Sequence, residues 1–230
     1  MSVDEVRPAS DSCSARPLVL GETDAVLETA SQLLLRRGTP LSPAELAAEL
    51  DEDLAAVEAT IATHEQRGRI ERRDGAIVAS AGISVVPSDY ELRLGTATRW
   101  AWCAKTSLGI LGGLGIGGEI VSRDPVTKAE LRTRFEGDRP VPGDAVAFWP
   151  SEDFRDSCQS AAGEYCLTLN LFAGESTARA WAERAGVPGE VLSVAEATER
   201  SAARWVANLR GDEATRTALG VDAAAVAGSR

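Results

Sequence analysis

The sequence predicts an α+β protein: an N-terminal three-helix, winged-helix-like module packed on a small mixed β-sheet domain with flanking helices. Three observations predict it. Apolar residues recur at helical spacing in residues 23–82 and end in a hairpin signature. Short strand candidates punctuated by Pro and Gly fill the middle of residues 83–210. Capped helical stretches close that region. Residues 1–22 lack periodicity and read as a loose leader carrying Cys13, and the Ala-rich residues 211–230 read as a C-terminal tail.

Val26, Leu27, Ala30, Leu33 and Leu34 mark the first helix, which Gly38 ends. Ser42-Pro43-Ala44-Glu45 is a capping box that opens a second helix through Leu50. Asp51 is the expected cap of a third, with Leu54, Val57 and Ile61 as its inner stripe and Gly68 as its stop. Asp74-Gly75, between Arg69–Arg72 and Ala76–Ala79, suits a tight hairpin turn. Next, Thr98 to about Ile110 reads as a helix, and the glycine-rich stretch Leu108–Gly118 reads as tight turning or close packing. It lacks the Lys and the preceding strand of a phosphate-binding loop. Strands are expected at Glu119–Ser122, Ala129–Phe135, Ala145–Trp149 and Tyr165–Phe172. Helices are expected at Ser176–Ala185 and, behind a capping box at Ser193–Glu196, to about Leu209.

Composition excludes several functions. With 44% hydrophobic and 26% charged residues the chain has the balance of a folded protein, and 35 acidic against 24 basic side chains give a formal net charge of −11. Phosphate backbones and anionic lipid surfaces repel such a chain. Residues 24–80 hold six Arg and no Lys against eleven acidic residues, and Asp53–Gln66, the counterpart of a recognition helix, has no Lys or Arg. A packing role is therefore expected for the module, with no nucleic acid and no membrane as partner. The longest apolar run, Ile110–Ile116, is too short to span a bilayer, and the first residues do not have the pattern of a secretory signal, so a cytoplasmic protein is expected. The one histidine, His64, reads as solvated or capping. Chemistry must come from thiols, carboxylates or hydroxyls.

The thiols are the informative groups. Cys103 falls near the start of a helix, where the helix dipole and Lys105 favour thiolate, and Thr106 and Ser107 lie one turn on along the same side. Cys166, Thr168 and Asn170 alternate with Tyr165, Leu167, Leu169 and Leu171, which places the thiol on the polar face of the expected strand. A thiol from each segment could clamp a soft metal, or both could be buried as small apolar residues. Cys158 lies in the loop leading to Cys166, a third sulfur if that loop folds over the site, and Asp156 and Glu164 flank the same segment.

These segments resemble the alkylmercury (organomercurial) lyases. Arg99-Trp100-Ala101-Trp102-Cys103-Ala104 is similar to the family's first active-site segment. Glu164-Tyr165-Cys166 with Leu169-Asn170-Leu171-Phe172-Ala173 is similar to its second. Gly82–Pro87, Asp124-Pro125-Val126-Thr127, Ala180-Trp181 and Leu192–Ala197 extend the likeness over roughly residues 25–200. The resemblance implies a dithiol, Cys103 and Cys166, that attacks carbon-bound mercury, with Trp100 and Trp102 walling the pocket beside Ser107 and Cys158. No cofactor is implied, with Hg(II) or another soft metal as substrate and product ligand. The family's proton-shuttling aspartate, three residues after the first cysteine, falls on Thr106, and its further structural cysteine, near Arg123, is absent. A missing general acid costs about 10²–10⁴ in rate. The expectation is thus a lyase-like enzyme, weakened or turned to another thiol reaction. A soft-metal binder and a metal-sensing winged-helix regulator are the alternatives, and the oligomeric state is not legible.

Overall fold

Helix signals at the N-terminal end work as written in a computed structural model that describes residues 24–209 and 212–220. The leader with Cys13 and the last ten residues lie outside the described residues. Asp24 caps α1 (Ala25–Arg37) and Gly38 closes it at φ 70°. Ser42 and Glu45 form the reciprocal capping box of α2 (Pro43–Leu50). Two local expectations fail at the next junction. Asp51 is the left-handed C-cap of α2, and Asp53 caps α3 (Leu54–Gln66), because its carboxylate reaches the Ala55 and Ala56 N–H groups. Leu54, in the first turn, is exposed, so the inner face of α3 is Val57, Ile61 and His64. His64 is buried and bonds through Nε2 to Asp24 Oδ2 at 2.6 Å, joining α3 to the start of α1.

The hairpin β1 (Ile70–Arg73) and β2 (Ala76–Ser80) turns at Asp74 and Gly75, both at positive φ. It continues into the next region through β3 (Ile83–Ser84), β4 (Tyr90–Leu94) and β5 (Ala97–Ala101), then β6 (Gly118–Arg123), β7 (Glu130–Glu136) and β8 (Arg139–Pro140). The order is β1-β2-β3-β5-β4-β6-β7-β8, with every recorded pairing antiparallel. The N-terminal module is therefore joined to the rest by one sheet, and Arg99 strengthens the joint. From β5 its guanidinium donates to the Leu35 and Arg36 carbonyls at the end of α1, at 2.7 and 3.1 Å. A second sheet, β10-β9-β11, is built from β9 (Val146–Pro150), β10 (Leu171–Phe172) and β11 (Gly189–Ser193).

Residues 98–110 are a strand and then a helix, where one helix was expected. Thr98–Ala101 alternate across β5 against β4, and α4 (Ala104–Leu114) starts only after Cys103. Helical spacing in α4 had masked the period of two immediately before it. The glycine-rich stretch is a packing surface. A Cβ on Gly109 would lie 2.4 Å from the Trp205 ring, and one on Gly113 would lie 2.6–2.9 Å from Trp205 Cβ and backbone carbon. The absent side chains let α8 (Val194–Leu209) lie directly on α4. Gly113→Ala is expected to lower the thermal unfolding midpoint. The gain in helix propensity is about 1 kcal/mol, whereas forcing a methyl against backbone costs about 1–3 kcal/mol and finds no side chain to rotate away.

Candidate active site

Four backbone links bring the two cysteine segments together. Trp102 N–H donates to the Gly82 carbonyl at 2.9 Å, fixing the exit from β5. Ala104 N–H donates to the Leu169 carbonyl at 3.0 Å, so the first residue of α4 is tied to the chain just past Cys166. Ala161 and Ala162 N–H groups donate to the Arg67 and Gly68 carbonyls at the end of α3, at 2.9 and 3.0 Å. Gly68 makes that approach possible, since a Cβ there would lie 2.3 Å from Ser160 Oγ. The N-terminal module thus braces the Cys166 segment.

That segment is not the strand the alternation predicted. Ala161–Tyr165 form a π-helical turn, Cys166–Thr168 continue as an α-helical turn (α6), and only Leu171–Phe172 extend into β10. Ser160 Oγ accepts from Gly163 N–H, and the Thr168 hydroxyl donates to the Tyr165 carbonyl, local bonds that outcompete a ladder. The apolar spacing has another use. Tyr165 and Leu169 pack with Cys103, Cys158 and Cys166 into one small buried cluster.

Cys103 is the N-cap residue of α4 and is nearly inaccessible. The Cys166 thiol donates to its sulfur, and this bond is the largest influence on both groups. It draws Cys103 down to about 7 against the opposing effect of burial, helped by the Thr106 hydroxyl and N–H and by Lys105. Cys166 is pushed well above the ordinary thiol range by the same bond, by burial and by the neighbouring thiolate. Of the pair, Cys103 therefore gives up its proton first and Cys166 keeps its own. Thr106 Oγ1 lies 3.5 Å from Cys103 Sγ. Gly82, at φ 93°, leaves room for that hydroxyl, because a Cβ there would lie 2.4 Å from it.

Both thiols and Thr106 line a cavity of about 380 Å³ that also receives Trp102, Tyr165 and Lys105. The Lys105 ammonium sits over the rings of Trp149 and Tyr165, 5.3 and 5.5 Å from their centres, and burial lowers its pKa. Two buried thiols at the wall of one cavity can offer two soft sulfur ligands.

Comparison with known proteins agrees with this chemistry. The alkylmercury lyase family model matches residues 83–207, more than half of the chain. The chain belongs to the alkylmercury lyase family. Among solved structures, the mercury-bound form of MerB2 matches with a TM-score of 0.70 at 22% identity, over 82% of this chain and 91% of that one. At that identity the likeness establishes the α+β fold. No curated protein matches.

Other residues expected at the site of this alkylmercury lyase relative lie around the cavity and not on its wall. Trp100 is in β5, opposite Glu91 of β4 and Ser84 of β3, and does not line the cavity. Ser107 is fully buried and donates to the Cys103 carbonyl at 2.8 Å, bracing the first turn of α4. Cys158 packs behind the pair, donates to the Phe154 carbonyl at 3.3 Å and is raised to about 11 by burial and Glu164, so it is a neutral thiol. Among the described residues no group of three His, Cys, Asp or Glu is placed to hold a metal ion. Asp156 pairs with Arg155, and Glu164 accepts from the Gln159 and Ser160 N–H groups, so both flanking acids are engaged. The sequence reading missed the arginines of the cavity wall, Arg69, Arg155, Arg200 and Arg204. Arg200 and Arg204, four apart on a helix, were a readable signal.

Proposed function

We propose that the protein cleaves carbon–mercury bonds with the Cys103/Cys166 pair, and does so slowly because Thr106 stands where the family resemblance leads one to expect an aspartate. The observation that carries this reading is that Cys103 and Cys166, both buried, pack in one cluster and line one cavity. The Cys103 thiolate displaces the outgoing ligand of an organomercurial and forms a sulfur–mercury bond. Cys166 then forms the second sulfur–mercury bond, the carbon–mercury bond breaks with its electron pair on carbon, and the Cys166 proton completes the hydrocarbon. Atoms and charge balance without a cofactor, and mercury is left as substrate-derived cargo on two sulfurs. With no carboxyl to relay it, that proton has a poorer path to carbon.

Residues 24–82 serve in this reading as a brace and not as a nucleic-acid reader. Arg36, Arg37, Arg72 and Arg73 are each paired with a glutamate, which leaves few cations for phosphates. Among the described residues no helix is long and apolar enough to cross a membrane.

The test is headspace analysis of hydrocarbon from a simple alkylmercury compound incubated with the protein under excess thiol. Release of one hydrocarbon per mercury, slowly and only with folded protein, is expected. Stoichiometric mercury binding with no hydrocarbon would replace this reading with that of a soft-metal binder.

A further inference from the structure

The cavity that holds the thiols is cationic in an acidic protein. The chain carries a net charge of −11, yet Arg69, Lys105, Arg155, Arg200 and Arg204 all line this cavity and, among the described residues, no Asp or Glu does. Two of the five are largely neutralised from outside it. Arg155 pairs with Asp156 at 2.8 Å and Glu152 at 3.7 Å, and Arg200 pairs with Glu190 at 2.5 Å. Lys105 and Arg204 are different. The Lys105 ammonium rests on the rings of Trp149 and Tyr165. Arg204 stacks on Trp205 at 5.3 Å, its buried Nε has no hydrogen-bond acceptor, and the acidic residue acting on it, Glu28, does not line the cavity. A half-buried guanidinium keeps its charge, and an unmatched buried donor is a standing demand for an acceptor.

We propose that this cavity selects ligands bearing an anionic group, and that its mercurial substrates are those whose organic part carries a carboxylate or sulfonate, held by Arg204 and Lys105 while mercury meets Cys103 and Cys166. The mercury half of this statement rests on the proposed lyase function; the anion preference is a property of the cavity alone. A cleft lined by one sign of charge concentrates the opposite ion, commonly by 10–10³-fold. A neutral alkylmercury gains nothing from the charges of Lys105 and Arg204, whereas an anionic aryl or alkyl group gives them a counter-charge. The positions of Arg200 and Arg204 on α8, across from the start of α4, put charge recognition and sulfur chemistry on different helices of one cavity.

The experiment uses two alkylating probes of similar size on the intact protein, anionic iodoacetate and neutral iodoacetamide, with modification at Cys103 followed by mass spectrometry. Their rate ratio cancels any change in thiolate population. It is expected to exceed the ratio for a small free thiol at least about tenfold, and to fall as salt is raised. Arg204→Gln and Lys105→Gln should each reduce it several-fold, and Arg204→Lys should restore most of the loss. A wild-type ratio equal to that of the free thiol, or one that salt and both Gln variants leave unchanged, overturns the proposal. In a second arm, 4-mercuribenzoate should release its arene at least about tenfold more efficiently than phenylmercury at limiting concentration. A high alkylation ratio with no arene or hydrocarbon from either mercurial would sink the lyase function and keep the anion site. A flat ratio with ready release from both would do the reverse.

Discussion

Cys103→Ser and Cys166→Ser are each expected to abolish tight mercury capture, and hydrocarbon release with it. A serine oxygen is a hard ligand and stays protonated at neutral pH, so neither variant retains two sulfurs for a soft metal. The two cysteines are not equivalent, and pH separates them. Cys103 is the thiolate of the pair, drawn down to about 7 first by the Cys166 hydrogen bond. Its reaction with iodoacetamide should therefore slow as pH falls through about 7, when the thiolate takes up a proton. In Cys166→Ala that donor is gone, and the midpoint should move up toward the value of an ordinary thiol. In Cys103→Ala the remaining Cys166 loses both the bond and the thiolate that raised it, so its midpoint should fall. Stopped-flow alkylation across pH 5–10, with mercury binding measured on the same samples, checks all four variants. A Cys103 midpoint that stays near 7 in Cys166→Ala, or a Cys166 midpoint that does not fall in Cys103→Ala, would remove the asymmetry on which the mechanism depends.

Thr106→Asp is expected to raise single-turnover hydrocarbon release at least about tenfold, the low side of what a positioned acid contributes. Thr106 lines the cavity and is only 7% exposed, with its hydroxyl 3.5 Å from Cys103 Sγ. A carboxyl in that place is desolvated and faces a thiolate, and both effects raise its pKa and keep it protonated. It can then pass its proton to carbon and recover one from Cys166. The measurement is gas release from an alkylmercury compound, with mercury binding confirmed in parallel. An unchanged rate with mercury still bound would mean that proton delivery does not limit the wild type, and the lyase assignment would give way to a soft-metal binder or another thiol reaction.

Much of this was legible in the sequence because it is local. Capping boxes at Ser42 and Ser193, the Asp74-Gly75 turn and the stops at Gly38 and Gly186 all act as they read. The thiols were legible as chemistry, since few other groups in the chain hold a soft metal. What sequence reading lost depended on contacts distant in the chain. Alternation around Cys166 reads as a strand, but Leu169 is drawn toward α4 and Ser160 toward α3, and a helical turn results. Trp100, Ser107 and Cys158 sit close to the thiols in sequence yet off the cavity wall, because closeness along a chain does not set which way a side chain faces. The wall cations come from four separate places, and no short window along the sequence contains them together.

The glycine face of α4 has a consequence for substrate length. Cys103 sits at one end of that helix, and Arg204 is the immediate neighbour of Trp205, the residue seated on Gly109 and Gly113. The spacing of the Cys103 and Arg204 backbones is thus set where the two helices touch, as the jaws of a caliper are set by their pivot. The Arg204 side chain can swing, but the backbone spacing bounds the lengths it can reach. A mercurial whose charge lies too near its metal, or too far from it, satisfies one jaw and misses the other. Enlarging Gly109 would push on Trp205, which lines the cavity, and so change which lengths fit without replacing any residue of the cavity wall.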